Sequence, residues 1–150
     1  MSVEVRTHTA LHVLKGAVQN VLGAKWTAGV YVEGYHGRLT VQFDRKPREE
    51  EIALVEEEAN RKIREDVPVE VLEMDRGEAE ERFGDAIYDL FPIPSSIKRL
   101  KILYIRDWNV NACKEKHTSS TGEIGGIRLV KVRHRASKRL LEISFNIYPP

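Results

Sequence analysis

The sequence holds a single cysteine, Cys113, so no disulfide can close within the chain and a reducing compartment, the cytoplasm, is expected. It has no apolar run of membrane-spanning length, and nothing at Met1-Ser2-Val3 has the form of a signal peptide. Neither a Walker A pattern nor a dinucleotide-binding glycine pattern occurs, which removes the common phosphate-cradling loops. Internal repeats and low-complexity tracts are missing too. What is present is an ordinary globular composition: 150 residues, 41% hydrophobic and 31% charged. That length suits one domain over residues 1–150 with a core of its own.

The net charge of +1 conceals a segregation. Residues 44–89 carry 17 acidic and 8 basic side chains, and residues 95–140 carry 12 basic and 3 acidic ones. Two arrangements satisfy this pattern: a positive face suited to phosphate-bearing partners, or two segments that lie together and cancel.

Hydrophobic spacing predicts a helix from a cap at Thr7 to Leu22, ended by Gly23, with Leu11, Leu14, Val18 and Val21 in one stripe and His8 and His12 along its rim. Residues 30–43 read as a hairpin around Gly34-Tyr35-His36-Gly37. A second helix opens after Lys46-Pro47, with Ile52, Val55, Ala59 and Ile63 facing inward, and Asp66-Val67-Pro68 stops it. A strand over 69–74, a short acidic helix over 75–83 and a proline-rich turn over 91–96 follow. Strands are expected over 101–106, 123–133 and 139–147, the last alternating cleanly at Leu141, Ile143, Phe145 and Ile147. The order predicts an α+β, two-layer fold, helices packed on a mostly antiparallel sheet.

Two short stretches carry chemistry. His8-Thr9-Ala10-Leu11-His12 and Cys113-Lys114-Glu115-Lys116-His117 each place two metal-capable side chains four residues apart. On a helix that spacing sets both on one face. Together they offer four nitrogen and sulfur donors, the number and softness that suit tetrahedral zinc; a closed set of four would be structural, and an open position catalytic. Thr9 stands where a zinc protease helix has glutamate, so that arrangement is absent. A third stretch, Thr121-Gly122-Glu123-Ile124-Gly125-Gly126, either lets backbone approach a ligand or forms a plain turn.

In this order and spacing the three stretches resemble the editing domain shared by alanyl- and threonyl-tRNA synthetases, and the short chain most resembles the free-standing alanyl-tRNA editing proteins, the AlaX family. The resemblance runs from Arg6 to the last strand. It implies zinc held by His8, His12, Cys113 and His117, and hydrolysis of mischarged tRNA(Ala), chiefly seryl-tRNA(Ala) with glycyl-tRNA(Ala) as a second substrate. Catalytic roles would fall to His8, His12 and Asn111, and substrate contacts to Thr27, Asn111, Gly125 and Gly126. Thr27 is equally suited to a turn. The sequence departs from the synthetases at Lys114-Glu115-Lys116, which replace Gly-Gly-Thr, and at Asn111, which stands where they carry an acidic residue. The Gly-Gly-Gln motif of longer editing proteins is missing from residues 26–31.

Such a site needs little nucleophilic power. An aminoacyl ester is already activated, so a positioned water and charge stabilisation suffice. The tRNA acceptor end would meet basic residues among Lys98, Arg99, Lys101, Arg128, Lys131, Arg133, Arg135, Lys138 and Arg139. Monomer and dimer both remain open. Other readings compatible with the same residues are editing of seryl-tRNA(Thr), a zinc-stabilised RNA-binding module without activity, and a small-molecule metallohydrolase.

Overall fold

The computed structural model describes residues 2–149. Helix α1 spans Val3–Leu22, and Ser2 caps it by accepting the Val5 amide at 3.4 Å. The helix starts a turn earlier than expected. Thr7 is not its cap, because its hydroxyl is buried between Val3 O (3.0 Å) and Gly34 O (2.7 Å). The consequence is that His8 and His12 sit inside the helix, where the backbone fixes their spacing, and not in a fraying first turn. Gly23, at φ +73°, ends the helix as anticipated.

Strands β1 (Thr27–Glu33) and β2 (His36–Gln42) form the expected hairpin. Helix α2 (Glu49–Glu65) turns Val55, Ala59 and Ile63 inward. Its first turn is tied by Glu51, which takes a two-pronged contact from Arg45 at 2.7 and 2.8 Å. Strand β3 (Glu70–Asp75), helix α3 (Arg76–Phe83) and strands β4 (Arg99–Ile105) and β5 (Asn109–Ala112) come next, then β6 (Gly126–Arg135) and β7 (Leu140–Tyr148).

All pairing is antiparallel, and the class is α+β as expected, but the strands divide into two sheets. One runs β1-β2-β7-β6 and the other β3-β4-β5. Leu141, Ile143, Phe145 and Ile147 of β7 pack with Leu11, Leu14 and Val18 of α1 in the main core. A smaller cluster of Met74, Ala79, Ile87, Leu100 and Ile102 lies under the second sheet. Burying these apolar faces is the main source of stability.

Strand β5 escaped the sequence pattern because it is four residues long and polar at Asn109 and Asn111. Residues 121–124 form a 3₁₀ turn, in keeping with the plain-turn alternative for this stretch, and the strand expected from residue 123 starts only at Gly126. The Thr121 hydroxyl donates to Lys62 O at 2.8 Å, the Gly122 amide bonds Asp66, and Ser120 and Glu123 cap each other, so these donors and acceptors are taken before a strand can form.

Candidate metal centre

Helix α1 and the end of β5 converge. The donor atoms of His12, Cys113 and His117 all lie within 4.8 Å of one another, and this trio can hold a metal ion. Cys113 Sγ is 3.6 Å from His117 Nε2. Bonds of ~2.3 Å to sulfur and ~2.05 Å to nitrogen at a tetrahedral angle put those two atoms about 3.6 Å apart. The His12 and His117 rings meet edge to face at 4.9 Å. His12 Nδ1 sits 3.2 Å from the Asn109 carboxamide oxygen, an acceptor that fixes the proton on Nδ1 and leaves Nε2 bare. His117 Nδ1 is buried with no hydrogen-bond partner among the described residues.

Local chemistry brings the two stretches together. The Cys113 amide donates to Lys101 O at 2.9 Å, which carries the strand pairing one residue past β5. Five residues on, the Thr118 amide donates to Thr9 Oγ1 at 2.9 Å, and Thr9 itself donates to Val5 O. Thr9 lies between the two histidines of α1 and is fully buried, so this bond seats the His117 loop against the helix.

Electrostatics agree with a ligand set. Burial, and then the neighbouring His117, lower His12 to about 3. Burial and the nearby His8 lower His117 to about 4. Both rings are therefore neutral at pH 7, the form that binds metals. Burial pushes the Cys113 thiol up, the opposite of a free reactive cysteine, and a cation is what would convert it to thiolate.

Beside the trio is a cavity of about 130 Å³. His8, His12, Lys15, Thr27, Asp89, Asn111, Cys113 and Glu115 supply its polar lining, and Leu11, Val30, Leu39 and Ala112 its apolar walls. His8 is half-buried and lines this cavity, outside the tight trio. No protein-family model matches the chain. Curated relatives are alanine–tRNA ligases from Methanopyrus kandleri, 40% identical over 126 residues, and Hyperthermus butylicus, 41% identical over 129. A third, from Saccharolobus islandicus, is 38% identical over 129 residues. These matches take in 83–85% of the chain. The chain is homologous to a segment of alanine–tRNA ligase. It spans 14% of the length of these relatives.

In this alanine–tRNA ligase homologue Thr27 opens β1, buried, its hydroxyl accepting from Lys15 Nζ at 2.7 Å. Asn111 lines the cavity, but its amide is committed to Ile87 O (2.9 Å) and Asp89 Oδ1 (3.2 Å). Asp89 thus brings a carboxylate to the cavity from the loop after α3, anchored by the asparagine that stands where a carboxylate was missing. Burial raises its carboxyl, opposed by Asn111 and Lys15. Gly125 and Gly126 do not line this cavity. Gly125 turns the chain at φ +99°, and Gly126 lets the Tyr148 ring pack where a Cβ would lie 2.0 Å from it.

Sequence reasoning missed Lys15, Thr9, Asn109 and Asp89. Lys15 carried a signal: it lies three residues past His12 and seven past His8, on their helical stripe. Asp89 carried none, since only the path of its loop places it by Cys113.

Proposed function

We propose that this chain is a zinc-dependent hydrolase that removes serine, and secondarily glycine, from mischarged tRNA(Ala). The observation that carries the reading is the His12, Cys113 and His117 trio beside a small part-polar cavity, in a homologue of an alanine–tRNA ligase segment. The cavity's ~130 Å³ is the scale of one small amino acid, not of a peptide or a base.

The donor set suits zinc: two neutral imidazoles, one thiol, and His8 within the same cavity as a fourth ligand or a neighbour of an open position. When bound, zinc supplies Lewis-acid stabilisation of charge and a lowered pKa for coordinated water. The chain's own residues do the rest. Asn109 orients His12, and Thr9 seats the His117 loop. Asn111 holds Asp89, whose carboxylate takes the proton of the attacking water; the ester C–O bond breaks and the ribose oxygen leaves with a proton. Leu11, Val30 and Leu39 limit the cavity to a short side chain.

A second cavity of about 310 Å³ shares Ala112 and Cys113 with the first. Pro92, Ile93, Ile97 and Leu100 give it an apolar floor, and Arg99, Lys101 and Lys114 a cationic rim, a combination that suits a terminal nucleotide and its phosphate. The charge segregation is partly cancelled within the fold, since Arg99 pairs with Asp75 at 3.2 Å and Arg139 with Asp44 at 3.5 Å. A further basic cluster, Arg38, Lys131, Arg133 and Arg135, lies together on the β1-β2-β7-β6 sheet.

The test is one assay with seryl-, glycyl- and alanyl-tRNA(Ala) against metal-loaded, chelated and Cys113→Ala protein. Release of serine that needs both metal and Cys113, with alanine left in place, is the expected result. Equal release of alanine, or activity indifferent to chelation, would remove the reading. A zinc-stabilised binding module predicts instead tRNA retention with no turnover in any arm.

A further inference from the structure

A broad cleft of about 500 Å³ lies apart from the metal centre and shares no lining residue with either cavity beside Cys113. Helix α3 brings Arg82 and Phe83 to it, helix α1 brings Gln19, and the β4–β5 hairpin brings Tyr104, Asp107 and Asn109. The Phe83 and Tyr104 rings lie 5.6 Å apart, and the Arg82 guanidinium stands over both, 4.8 and 5.9 Å from their centres. The rings are half-buried and the arginine is exposed, so the cleft has a wall of aromatic and guanidinium planes.

The polar groups around that wall are unused. Among the described residues, the side chains of Gln19, Arg82, Tyr104 and Asp107 make no hydrogen bond or ion pair. Asn109 is the decisive one. It is only 7% exposed, its oxygen is held 3.2 Å from His12 Nδ1, and its amide nitrogen has no partner among the described residues. That nitrogen is not sealed in the core, and Asn109 lines this cleft. The bond to His12 therefore holds the carboxamide with its N–H donors aimed into the cleft. Asp107, in a left-handed turn at φ +56°, sets a carboxylate acceptor at the exposed end.

These features together fit a flat ring with donors and acceptors along its edge. An aliphatic chain has no use for the polar groups, a phosphate none for the rings, and a phenyl ring has no polar edge. An unpaired nucleobase uses all of them: its face stacks on aromatic and arginine planes, and its edge bonds amides and carboxylates.

We propose that this cleft is a nucleobase-binding site, in which an unpaired base stacks against Tyr104 and Arg82 and accepts an edge hydrogen bond from the Asn109 amide. The base comes either from a free mononucleotide or from an unstacked nucleotide of an RNA. The site does not depend on the hydrolase reading, because its residues are not those of the cavity beside the metal-capable trio.

The experiment titrates the ¹⁵N-labelled full chain with each of the four nucleoside 5′-monophosphates and with ribose 5-phosphate, and measures affinity for a tRNA(Ala) transcript by fluorescence anisotropy. Wild type, Tyr104→Leu and Arg82→Ala are compared. For a free nucleotide, at least one mononucleotide shifts the side-chain amide signals of Asn109 and Gln19, and ribose 5-phosphate leaves them in place. Each variant then weakens binding by roughly 5–150-fold, the worth of one base stack. For a base within RNA, the mononucleotides leave those signals unmoved up to about 10 mM, and the transcript loses affinity by the same factor in both variants. Either pattern supports the site. Unmoved signals together with a transcript affinity within about twofold of wild type in both variants would overturn it. Ribose 5-phosphate shifting the same signals as strongly would overturn it too, since the base would then contribute nothing. If Tyr104→Leu does not fold, Arg82→Ala decides by the same readings, being an exposed side chain with no hydrogen bond to lose. A protein that binds a base here yet releases no serine would remove the hydrolase reading and leave this one standing.

Discussion

The bond between Thr9 and Thr118 offers the sharpest test of how the two ligand stretches are held together. Replacing Thr9 with valine keeps the branched shape at a fully buried site and removes only the oxygen. Val5 O keeps its ordinary helical partner, so its loss is small. The Thr118 amide, in a residue 2% exposed, loses its acceptor at 2.9 Å and has no water to replace it. A buried donor left unmade costs ~1–3 kcal/mol. For a chain of this size each kcal/mol moves Tm by about 2–4 °C. Calorimetry on chelated protein should therefore show Tm lower by roughly 2–12 °C in Thr9→Val, with Thr9→Ser, which retains the oxygen, close to wild type. The loop that carries His117 is also freed, so zinc affinity measured against a chelator dye should fall ~10-fold or more, as for other groups that orient ligands. A Tm within about 1 °C of wild type, together with unchanged zinc affinity, would refute the claim that this bond seats the site.

Three further outcomes follow from the same structure. Gly16→Ala should destabilise the fold although helix propensity alone favours alanine by ~1 kcal/mol, because the new Cβ would stand 2.3 Å from the Trp108 ring, which is fixed by its own bond to Val13 O at 2.9 Å. Urea unfolding is expected to show a net loss, with overpacking costing ~1–3 kcal/mol, and a more stable variant would contradict the packing. Asn109→Ala should weaken zinc binding by ~10–100-fold, read by competition titration, since His12 loses the acceptor that fixes its tautomer. In chelated protein His12 (about 3) and His117 (about 4) lie below the ordinary value of 6.5, so the unfolded state binds more protons as pH falls through 6.5. Stability is fully present above that pH and is lost toward pH 3–4, by up to ~1.4 kcal/mol per pH unit for each histidine; urea midpoints from pH 7.5 to 4.5 that do not fall would show that the rings are not buried neutral.

The sequence by itself determined the repeating local features. Period 2 in β7 and period 3.6 in α2 were legible because each buries one face, and Gly23 marked the end of α1 because only a residue free of Cβ strain turns there cheaply. The spacing of His8, His12, Cys113 and His117 was legible too, and the structure gathers His12, Cys113 and His117 into one cluster with His8 lining the adjoining cavity. Tertiary structure decided what spacing cannot encode. Thr7 looked like a cap until Gly34 claimed its hydroxyl, and the strand expected from residue 123 starts only at Gly126 because Thr121 and Gly122 are bonded to Lys62 and Asp66. Asp89 and Lys15 reach one cavity from a loop and a helix 74 positions apart, and burial, not position in the chain, makes them chemically unusual. Local periodicity follows from bonds between near neighbours, whereas desolvation and the meeting of distant donors exist only once the chain has closed on itself.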